Sequence, residues 1–191
     1  LGRELAAFAP EIVLHLAAQS VVFDAYADPA STYATNVLGT VHLLDAVRRH
    51  GGRCTVVNVT TDKVYENRGA GRGFRESDAL GGRDPYSASK SCAEFVARSF
   101  RESYFAETDG SASRIGLASA RAGNVVGGGD WTPHQLVPEA VAALREGRAV
   151  VLRQPGAVRP WQHVLDCLSG YLTLAEALHE QPRRFAGEWN F

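Results

Sequence analysis

The chain has 191 residues, of which 45% are hydrophobic and 21% are charged, which is the composition of a globular protein with one sizeable core or of part of a larger protein. A formal net charge of -1 argues against nucleic acid or an anionic membrane as the main partner. Cys54, Cys92 and Cys167 are scattered and lack metal-ligand spacing, so they are interpreted as thiols of a reducing compartment and no metal site is predicted. No signal peptide or membrane-spanning apolar run is found, so the cytoplasm is the expected location.

The first part of the chain has the pattern helix, strand, helix. Residues 2–9 are predicted to form the end of a helix that stops at Pro10. The nearly continuous apolar run 11–17 is typical of a strand that is buried on both faces of a parallel sheet. A long helix over 30–50 follows, and the Asp-Pro pair at 28–29 opens it.

The middle of the chain combines a strand with a concentration of polar groups. A strand over 54–59, rich in β-branched residues, leads into a dense polar segment at 60–65. Ligands of open parallel sheets bind beyond the carboxyl ends of the strands, so this segment marks a predicted crevice. Residues 66–83, rich in Gly and Arg, are predicted to form a mobile loop. This loop leads into a helix over 85–106, which residues 109–111 are predicted to break.

The last part continues the alternation of strands and helices. A strand over 114–121 precedes the Gly-rich segment 122–131, which lacks both the lysine of a phosphate loop and the Rossmann glycine spacing. That segment is therefore interpreted as a flexible connection under a substrate pocket. The remaining predicted elements are a helix over 136–148, a strand over 149–152, a helix over 164–180 and an interrupted strand at 188–191. The alternation predicts an α/β fold with a mainly parallel sheet.

Tyr86 and Lys90 are four residues apart, which places them on one face of the predicted helix. Asp84 suits the N-cap of this helix and Pro85 suits its first turn. A nearby ammonium favours the phenolate, so Lys90 is expected to lower the pKa of Tyr86 from its usual value of about 10. A tyrosine tuned in this way can take a proton from a sugar hydroxyl while hydride leaves the same carbon. The same spacing recurs by chance in many helices, so this interpretation depends on the surrounding motifs.

Several motifs in a fixed order carry a family resemblance. They are the segments 15–19, 33–40, 61–67, 86–90, 121–131 and 159–164. With these motifs the chain resembles the extended short-chain dehydrogenase/reductase superfamily, its NAD-dependent epimerase/dehydratase family and, within that family, the nucleotide-sugar 4,6-dehydratases. The resemblance implies a Rossmann-like, doubly wound, mainly parallel sheet that lacks the N-terminal dinucleotide turn and the C-terminal end of the family.

The resemblance also implies a division of the chain. Residues 1–130 would be the C-terminal part of the NAD-binding domain and would carry the catalytic residues. Residues 131–191 would be a partial substrate-binding region that returns to the sheet. The chain is accordingly expected to be an internal piece of a longer protein. The family's Gly-rich turn, which holds the NAD pyrophosphate, is not in this sequence, so weak NAD binding or none is expected.

The implied reaction uses NAD as cofactor and a nucleotide sugar, expected to be CDP-glucose, as substrate. Tyr86 would deprotonate the hydroxyl on carbon 4, and Lys90 would bind the nicotinamide ribose. Thr61 would hydrogen-bond the same hydroxyl as Tyr86. Asp62 would protonate the hydroxyl that leaves carbon 6, which requires a raised pKa, and Lys63 would be the base at carbon 5, which requires a pKa lowered by burial or a neighbouring cation.

Further residues are implied to bind the ligands. Ala17, Ala18 and Gln19 would line the cofactor together with Tyr86 and Lys90. Asn36 is grouped with this cofactor-binding set, although it is better suited to holding the centre of the sheet or a water chain than to touching ligand. Asn124 would contact the substrate, and Arg159 would grip its diphosphate with the planar fork of the guanidinium. Trp131 and Trp161 are interpreted as packing residues, and Gln135 stands where relatives carry a basic residue.

Three alternatives remain open. Lys63 could be only a surface salt-bridge partner of Asp62. The chain could be a non-catalytic, truncated homologue that serves association, since the two long helices would form the surface of a homo-oligomer. It could also belong to another nucleotide-sugar dehydratase or epimerase, although an epimerase needs neither the acid nor the base expected at 62 and 63.

Overall fold

The computed structural model describes residues 1–69, 71–106 and 114–191. At its centre is a four-stranded sheet in which each neighbouring pair is parallel, in the spatial order β1-β2-β3-β6. These strands are Ile12–His15 (β1), Cys54–Thr61 (β2), Ile115–Ala122 (β3) and Gly187–Asn190 (β6). A second sheet pairs Asn124–Val126 (β4) with Trp161–His163 (β5), also in parallel. The predicted α/β fold with a parallel sheet is confirmed.

Helices cover both faces of the larger sheet. Their bounds are Gly2–Phe8 (α1), Val22–Ala27 (α2), Pro29–Tyr33 (α3), Gly39–His50 (α4), Pro85–Ser103 (α5), Leu136–Arg145 (α6), Val164–Glu180 (α7) and Pro182–Phe185 (α8). Helices α1, α4 and α5 share one apolar cluster with the sheet, and α7 shares a second cluster on the opposite face. This three-layer arrangement is the doubly wound architecture that the sequence predicts.

Strand β2 shows why a strand covered on both faces has a continuous apolar run in the sequence. Successive side chains of a strand point to opposite faces, so Val56 enters the cluster of α4 and α5, whereas Val57 enters the cluster of α7. Both valines are completely buried. Burial of one such side chain contributes about 1.5–3 kcal/mol, so a central strand of this kind needs apolar residues on both faces.

The predicted helix over 30–50 is continuous but not uniform. It starts at α3, where the amide of Ser31 donates to the Asp28 carboxylate over 3.0 Å, and it ends where Gly51 adopts φ 68°, a value that favours glycine. Between α3 and α4 lies a π-helical turn, Ala34–Leu38. Such a turn shifts the helical frame by one residue, which changes the side chains that face the sheet.

Several elements differ from the prediction. Helices α2 and α8 and strands β4 and β5 were missed, because each is too short to show a hydrophobic period. The strand predicted over 149–152 is wrong: these residues are exposed beside α6 and form no strand. Helix α6 ends at Arg145 rather than at 148. The helix break predicted at 109–111 lies outside the described residues.

The loop over 66–83 is attached to the site by specific bonds. Tyr65 and Leu80 form an antiparallel bridge, and the amide of Gly81 donates to the Val64 carbonyl over 2.8 Å. Within the loop, both terminal nitrogens of the Arg72 guanidinium donate to the Asp78 carboxylate over 2.8 Å. These contacts fix the approach of the chain to helix α5, which follows it.

Candidate active site

The carboxyl ends of the parallel strands place the polar segments of the sequence together. Strand β2 ends at Thr61, and a short 3-10 turn, Asp62–Val64, continues from it. Strand β3 ends beside it at Ala122. Because parallel strands end at one edge of the sheet, this is the crevice that the sequence predicts.

Helix α5 brings Tyr86 and Lys90 to the same edge. The Asp84 carboxylate accepts a hydrogen bond from the amide of Ser87 over 3.0 Å, and Pro85 occupies the first turn, so the predicted cap is confirmed. Tyr86 and Lys90 are both buried. The start of the helix presses against Gly82, where an added Cβ would overlap the backbone of Ser87.

The expected lowering of the Tyr86 pKa is wrong in this structure. Burial raises the pKa of Tyr86 to about 12, a hydrogen bond with Thr61 opposes this shift, and the charges of Asp62 and Asp84 add to it. The Lys90 ammonium donates to the Val59 carbonyl over 2.9 Å. Burial of the phenol therefore sets the direction of the pKa shift of Tyr86, and sequence spacing alone does not give burial.

Lys90 is the buried cation of the site. Burial lowers its pKa from 10.5 to about 8, and the nearby Glu94 carboxylate opposes this shift. His15, at the end of β1, has its pKa lowered to about 4 by burial and by the charge of Lys90. Its Nε2 lies 3.2 Å from the Thr40 hydroxyl, which itself donates to a backbone carbonyl. His15 is therefore neutral at physiological pH and adds no second cation beside Lys90.

Asp62 and Lys63 differ in burial. Asp62 is half-buried, and its carboxylate accepts a hydrogen bond from the Thr61 hydroxyl over 3.1 Å. Lys63 is exposed, and its ammonium lies 5.6 Å from the centroid of the Tyr86 ring. Burial, one of the two conditions for a basic role of Lys63, is therefore not met. Within the described ranges no ion pair joins Lys63 to Asp62.

Asn36 holds the segment that follows β1. Its side-chain oxygen accepts from the amide of Gln19, and its side-chain nitrogen donates to the Gln19 carbonyl and to the Ser89 hydroxyl, each over 2.9 Å. Asn36 thereby fixes Gln19, together with Ala17 and Ala18 before it, against α5. This is the structural role to which the residue is best suited. The side-chain oxygen of Gln19 is buried and has no hydrogen-bond partner in the described part of the chain.

A cavity of about 390 Å³ opens at this edge. One side carries Thr61, Asp62, Lys63 and Tyr86. The rest of the lining comes from the segments 123–131 and 135–138, with Ser20, Val141 and Trp161. The Gly-rich segment therefore does border a pocket, as its interpretation required.

Of the two residues expected to contact substrate, Asn124 lines the cavity and Arg159 does not. Asn124 lines the cavity, and Gln135 lies at its rim as the N-cap residue of α6. Arg159 is exposed, is not among the lining residues, and donates to the carbonyl of Val158 over 2.8 Å. Trp131 and Trp161 also line the cavity and are partly exposed, so the interpretation of both as packing residues is wrong.

Sequence reasoning missed a buried polar network beneath the site. Arg121 on β3 donates through Nε and Nη2 to the two oxygens of Glu94 on α5, over 2.9 and 3.0 Å. Its Nη1 donates to the hydroxyl of Tyr65 over 2.8 Å. The Tyr65 hydroxyl in turn donates to the side chain of Asn190 on β6. The sequence did contain one signal that Glu94 is buried: it lies one helical turn beyond Lys90, on the same helix face as Ala93 and Ala97.

Two further properties concern residues 1–69, 71–106 and 114–191. Within these ranges no group of three His, Cys, Asp or Glu side chains could hold a metal ion. No helix there is long and apolar enough to cross a membrane.

The parallel sheet and the Tyr-Lys helix at its carboxyl edge define a Rossmann-like protein of the extended short-chain dehydrogenase/reductase superfamily. Within this class, residues 1–186 match the model of the GDP-mannose 4,6 dehydratase family, and the chain belongs to that family. The resemblance expected from the motifs is thus confirmed.

Three individual proteins show how similar the chain is to known dehydratases and epimerases. The chain is 48% identical over 191 residues to CDP-glucose 4,6-dehydratase of Salmonella typhimurium. This alignment covers 100% of this chain and 53% of the Salmonella protein. A double mutant of dTDP-glucose 4,6-dehydratase from Streptomyces venezuelae, solved with NAD bound, has a TM-score of 0.81 at 28% identity, covering 100% of this chain and 55% of the other. UDP-glucose 4-epimerase of Thermus thermophilus, solved with NAD, has a TM-score of 0.79 at 25% identity. The superposition covers 99% of this chain and 58% of the epimerase chain. The chain spans about half the length of the curated relatives it matches.

Proposed function

We propose that this chain is the catalytic middle of an NAD-dependent nucleotide-sugar 4,6-dehydratase that converts CDP-glucose to CDP-4-keto-6-deoxyglucose. One observation carries the proposal: a phenol, a carboxyl group and an ammonium line one cavity at the carboxyl edge of the sheet, on Tyr86, Asp62 and Lys63. A dehydration needs a group that moves the proton on oxygen 4, an acid at carbon 6 and a base at carbon 5. An epimerase, the runner-up, needs only the first of these. The 48% identity to CDP-glucose 4,6-dehydratase supports cytidine as the base.

The chain supplies the proton transfers of this reaction. Tyr86 takes the proton of the hydroxyl on carbon 4, and its hydrogen bond with Thr61 orients the phenol. Lys63 is assigned the proton on carbon 5, which the ketone at carbon 4 makes acidic. It takes that proton only as the neutral amine, and since the side chain is exposed, a neighbouring cation is the condition that remains for this role. Asp62 gives a proton to the hydroxyl that leaves carbon 6 as water. Thr61 contacts both acid–base groups, because its hydroxyl donates to one carboxyl oxygen of Asp62 and leaves the other oxygen to carry the proton that Asp62 gives.

The residues present fit one part of NAD. Lys90 and Tyr86 suit the nicotinamide ribose, and the unpartnered side-chain oxygen of Gln19 is a buried acceptor for an N–H or O–H donor. Ala17 and Ala18 allow close approach of a ligand to the backbone. When bound, NAD accepts and returns hydride and, through its positively charged ring, favours the phenolate of Tyr86. No Gly-rich turn of the family is present for the pyrophosphate, so weak binding by the isolated chain is part of the proposal.

Several finer assignments belong to the same proposal. The substrate contacts assigned to Asn124 and Arg159 are included, and Asn124 has the better support because it lines the cavity. The division of the chain at residue 130 remains a prediction. The whole protein is proposed to be a cytoplasmic homodimer that pairs through the helix over 29–50 and α5. Leu38, in the π-helical turn before α4, and Phe95 on α5 are more than half exposed. Light scattering on the purified chain measures that association.

The test is turnover with CDP-glucose and NAD. A 4-keto-6-deoxy sugar develops near-ultraviolet absorbance in alkali, so the wild-type chain is expected to give this signal. Tyr86→Phe should abolish it, whereas the matched control Tyr104→Phe, at an exposed tyrosine on the far end of α5, should not. An equal signal from dTDP-glucose would contradict the choice of base. A folded wild-type chain without signal at saturating NAD, checked by calorimetry, would contradict activity of this chain.

A further inference from the structure

The network beneath the site contains an ion pair that is completely out of water. The side chains of Arg121 and Glu94 are 0% and 1% exposed, and the pair is bidentate. Arg121 also places its guanidinium 4.9 Å from the centroid of the Tyr65 ring. A buried pair of this kind is weak evidence for stability, because well-packed apolar residues of similar volume often replace such pairs without loss. The pair is therefore better explained by what it holds in place near the site than by stability alone.

Glu94 connects the two elements that carry the proposed catalytic residues. It accepts a hydrogen bond from the hydroxyl of Thr60, the residue directly before Thr61 on β2. It lies on α5 one helical turn beyond Lys90, on the same buried face. The carboxylate is thus bonded to the strand end on one side, and on the other it acts electrostatically on the buried ammonium one helical turn away.

We propose that Glu94, fixed by Arg121, is a positioning residue for the reaction at this site. It sets the separation between the end of β2, which carries Thr61, and the turn of α5 that carries Tyr86 and Lys90. It also supplies the buried negative charge beside which the Lys90 ammonium is held. This inference rests on the proposed function for its kinetic part, whereas its electrostatic part concerns the folded chain alone.

The charges around Lys90 make the electrostatic part specific. Glu94 faces it from the same helix, and His15 faces it from β1 but is neutral above about pH 5, since its pKa is about 4. Glu94 is therefore the one titratable neighbour, within the described part of the chain, that favours the charged form of Lys90. An apolar pair in place of Glu94 and Arg121 would fill the space, but it would neither accept the Thr60 bond nor oppose the neutralisation of Lys90.

The chain allows a direct measurement, because Lys63 and Lys90 are its two lysines. With isotope-labelled lysine, NMR titration between about pH 6 and pH 11 follows one buried and one exposed ammonium in a single sample. In Glu94→Gln the midpoint of Lys90 should fall while that of Lys63, the internal control, stays in place. Glu94→Asp keeps the charge and should restore most of the wild-type midpoint.

A second variant guards against failure to fold. Glu94→Gln leaves Arg121 buried without its partner, so the double variant Glu94→Leu/Arg121→Met, in which both charges are gone, is made as well. Its Lys90 midpoint should fall too, and a cooperative melting transition shows that the variant folds. In the turnover assay the double variant should lose about tenfold or more in kcat with little change in KM, because orientation and not binding is disturbed.

The outcomes separate this inference from the proposed function. An unchanged Lys90 midpoint in the double variant would overturn the electrostatic role of Glu94 whether or not the chain turns over substrate. A wild-type kcat in that variant would overturn the positioning role. Absence of turnover in the wild type would count against the proposed function and against the kinetic part that rests on it, and the titration would still decide the electrostatic role.

Discussion

The buried ammonium of Lys90 should make the stability of this protein depend on pH. The side chain is 6% exposed, and burial lowers its pKa from 10.5 to about 8. The folded state therefore binds the lysine proton less tightly than the unfolded chain does. The contribution of Lys90 to the free energy of unfolding is fully favourable above pH 10.5 and is lost as the pH falls through about 8.

The magnitude follows from the same shift. A pKa that falls from 10.5 to about 8 corresponds to about 3 kcal/mol between the two ends of this pH range. Lys90→Met removes the charge and keeps a flexible chain of similar length. The variant also loses the hydrogen bond to the Val59 carbonyl, but that loss is the same at every pH. Relative to wild type, the variant should therefore be more stable at neutral pH than at alkaline pH, by about 3 kcal/mol.

Urea unfolding followed by circular dichroism at several values between about pH 7 and pH 10.5 measures this difference. Lys63→Met is the matched control, because it removes an ammonium that is exposed rather than buried. Tyr86 is present in all three proteins, so its own titration largely cancels in the comparison. A difference between wild type and Lys90→Met that stays constant within about 0.5 kcal/mol across the range would refute the reasoning.

Two further predictions concern the supports of the site. Gly82→Ala should destabilise the chain by about 1–3 kcal/mol and lower turnover, because the new Cβ would overlap the backbone of Ser87 at the start of α5. The control Gly73→Ala should be near neutral, because a Cβ added at Gly73 meets nothing within 4 Å. Equal melting temperatures for the two variants would contradict this prediction. Tyr65→Phe should cost about 1–3 kcal/mol, because it removes the hydroxyl that accepts from Arg121 and donates to Asn190. It should also speed tryptic cleavage within the 66–83 loop, and an unchanged cleavage rate would show that this network does not hold the loop.

Much of the architecture was predictable because strands and helices have different hydrophobic periods. The apolar runs at 11–17 and 54–59 gave two strands of the sheet, and the polar segments after them marked the carboxyl edge where the cavity lies. The expected burial of the first run on both faces is wrong, because β1 lies at the edge of the described sheet and Ile12 and Leu14 are exposed. The cap of the Tyr86 helix was readable from Asp84 and Pro85, since the chemistry of an N-cap is local. Features that depend only on residues adjacent in the sequence could therefore be predicted.

Helix faces were harder to predict, because the site buries polar groups. Along the helix over 29–50 the buried side chains near the site are Thr32, Asn36 and Thr40, whereas Leu38 is 52% exposed. On α5, Glu94 is buried, whereas the adjacent Phe95 is 53% exposed. Burial of a polar side chain is favourable only when its partners are in place, and those partners lie on other elements.

The sequence by itself determined the order and type of the main elements, the strand ends that form the crevice and the family to which the chain belongs. Only the tertiary structure decided how the groups in that crevice behave. Lys90 and Tyr86 are four residues apart in the sequence, yet the pKa of Tyr86 rises because the phenol is buried and the charges of Asp62 and Asp84 lie near it. The pairing of Arg121 with Glu94 likewise joins β3 to α5, and electrostatic energies of this kind depend on distance and burial, which a sequence does not contain.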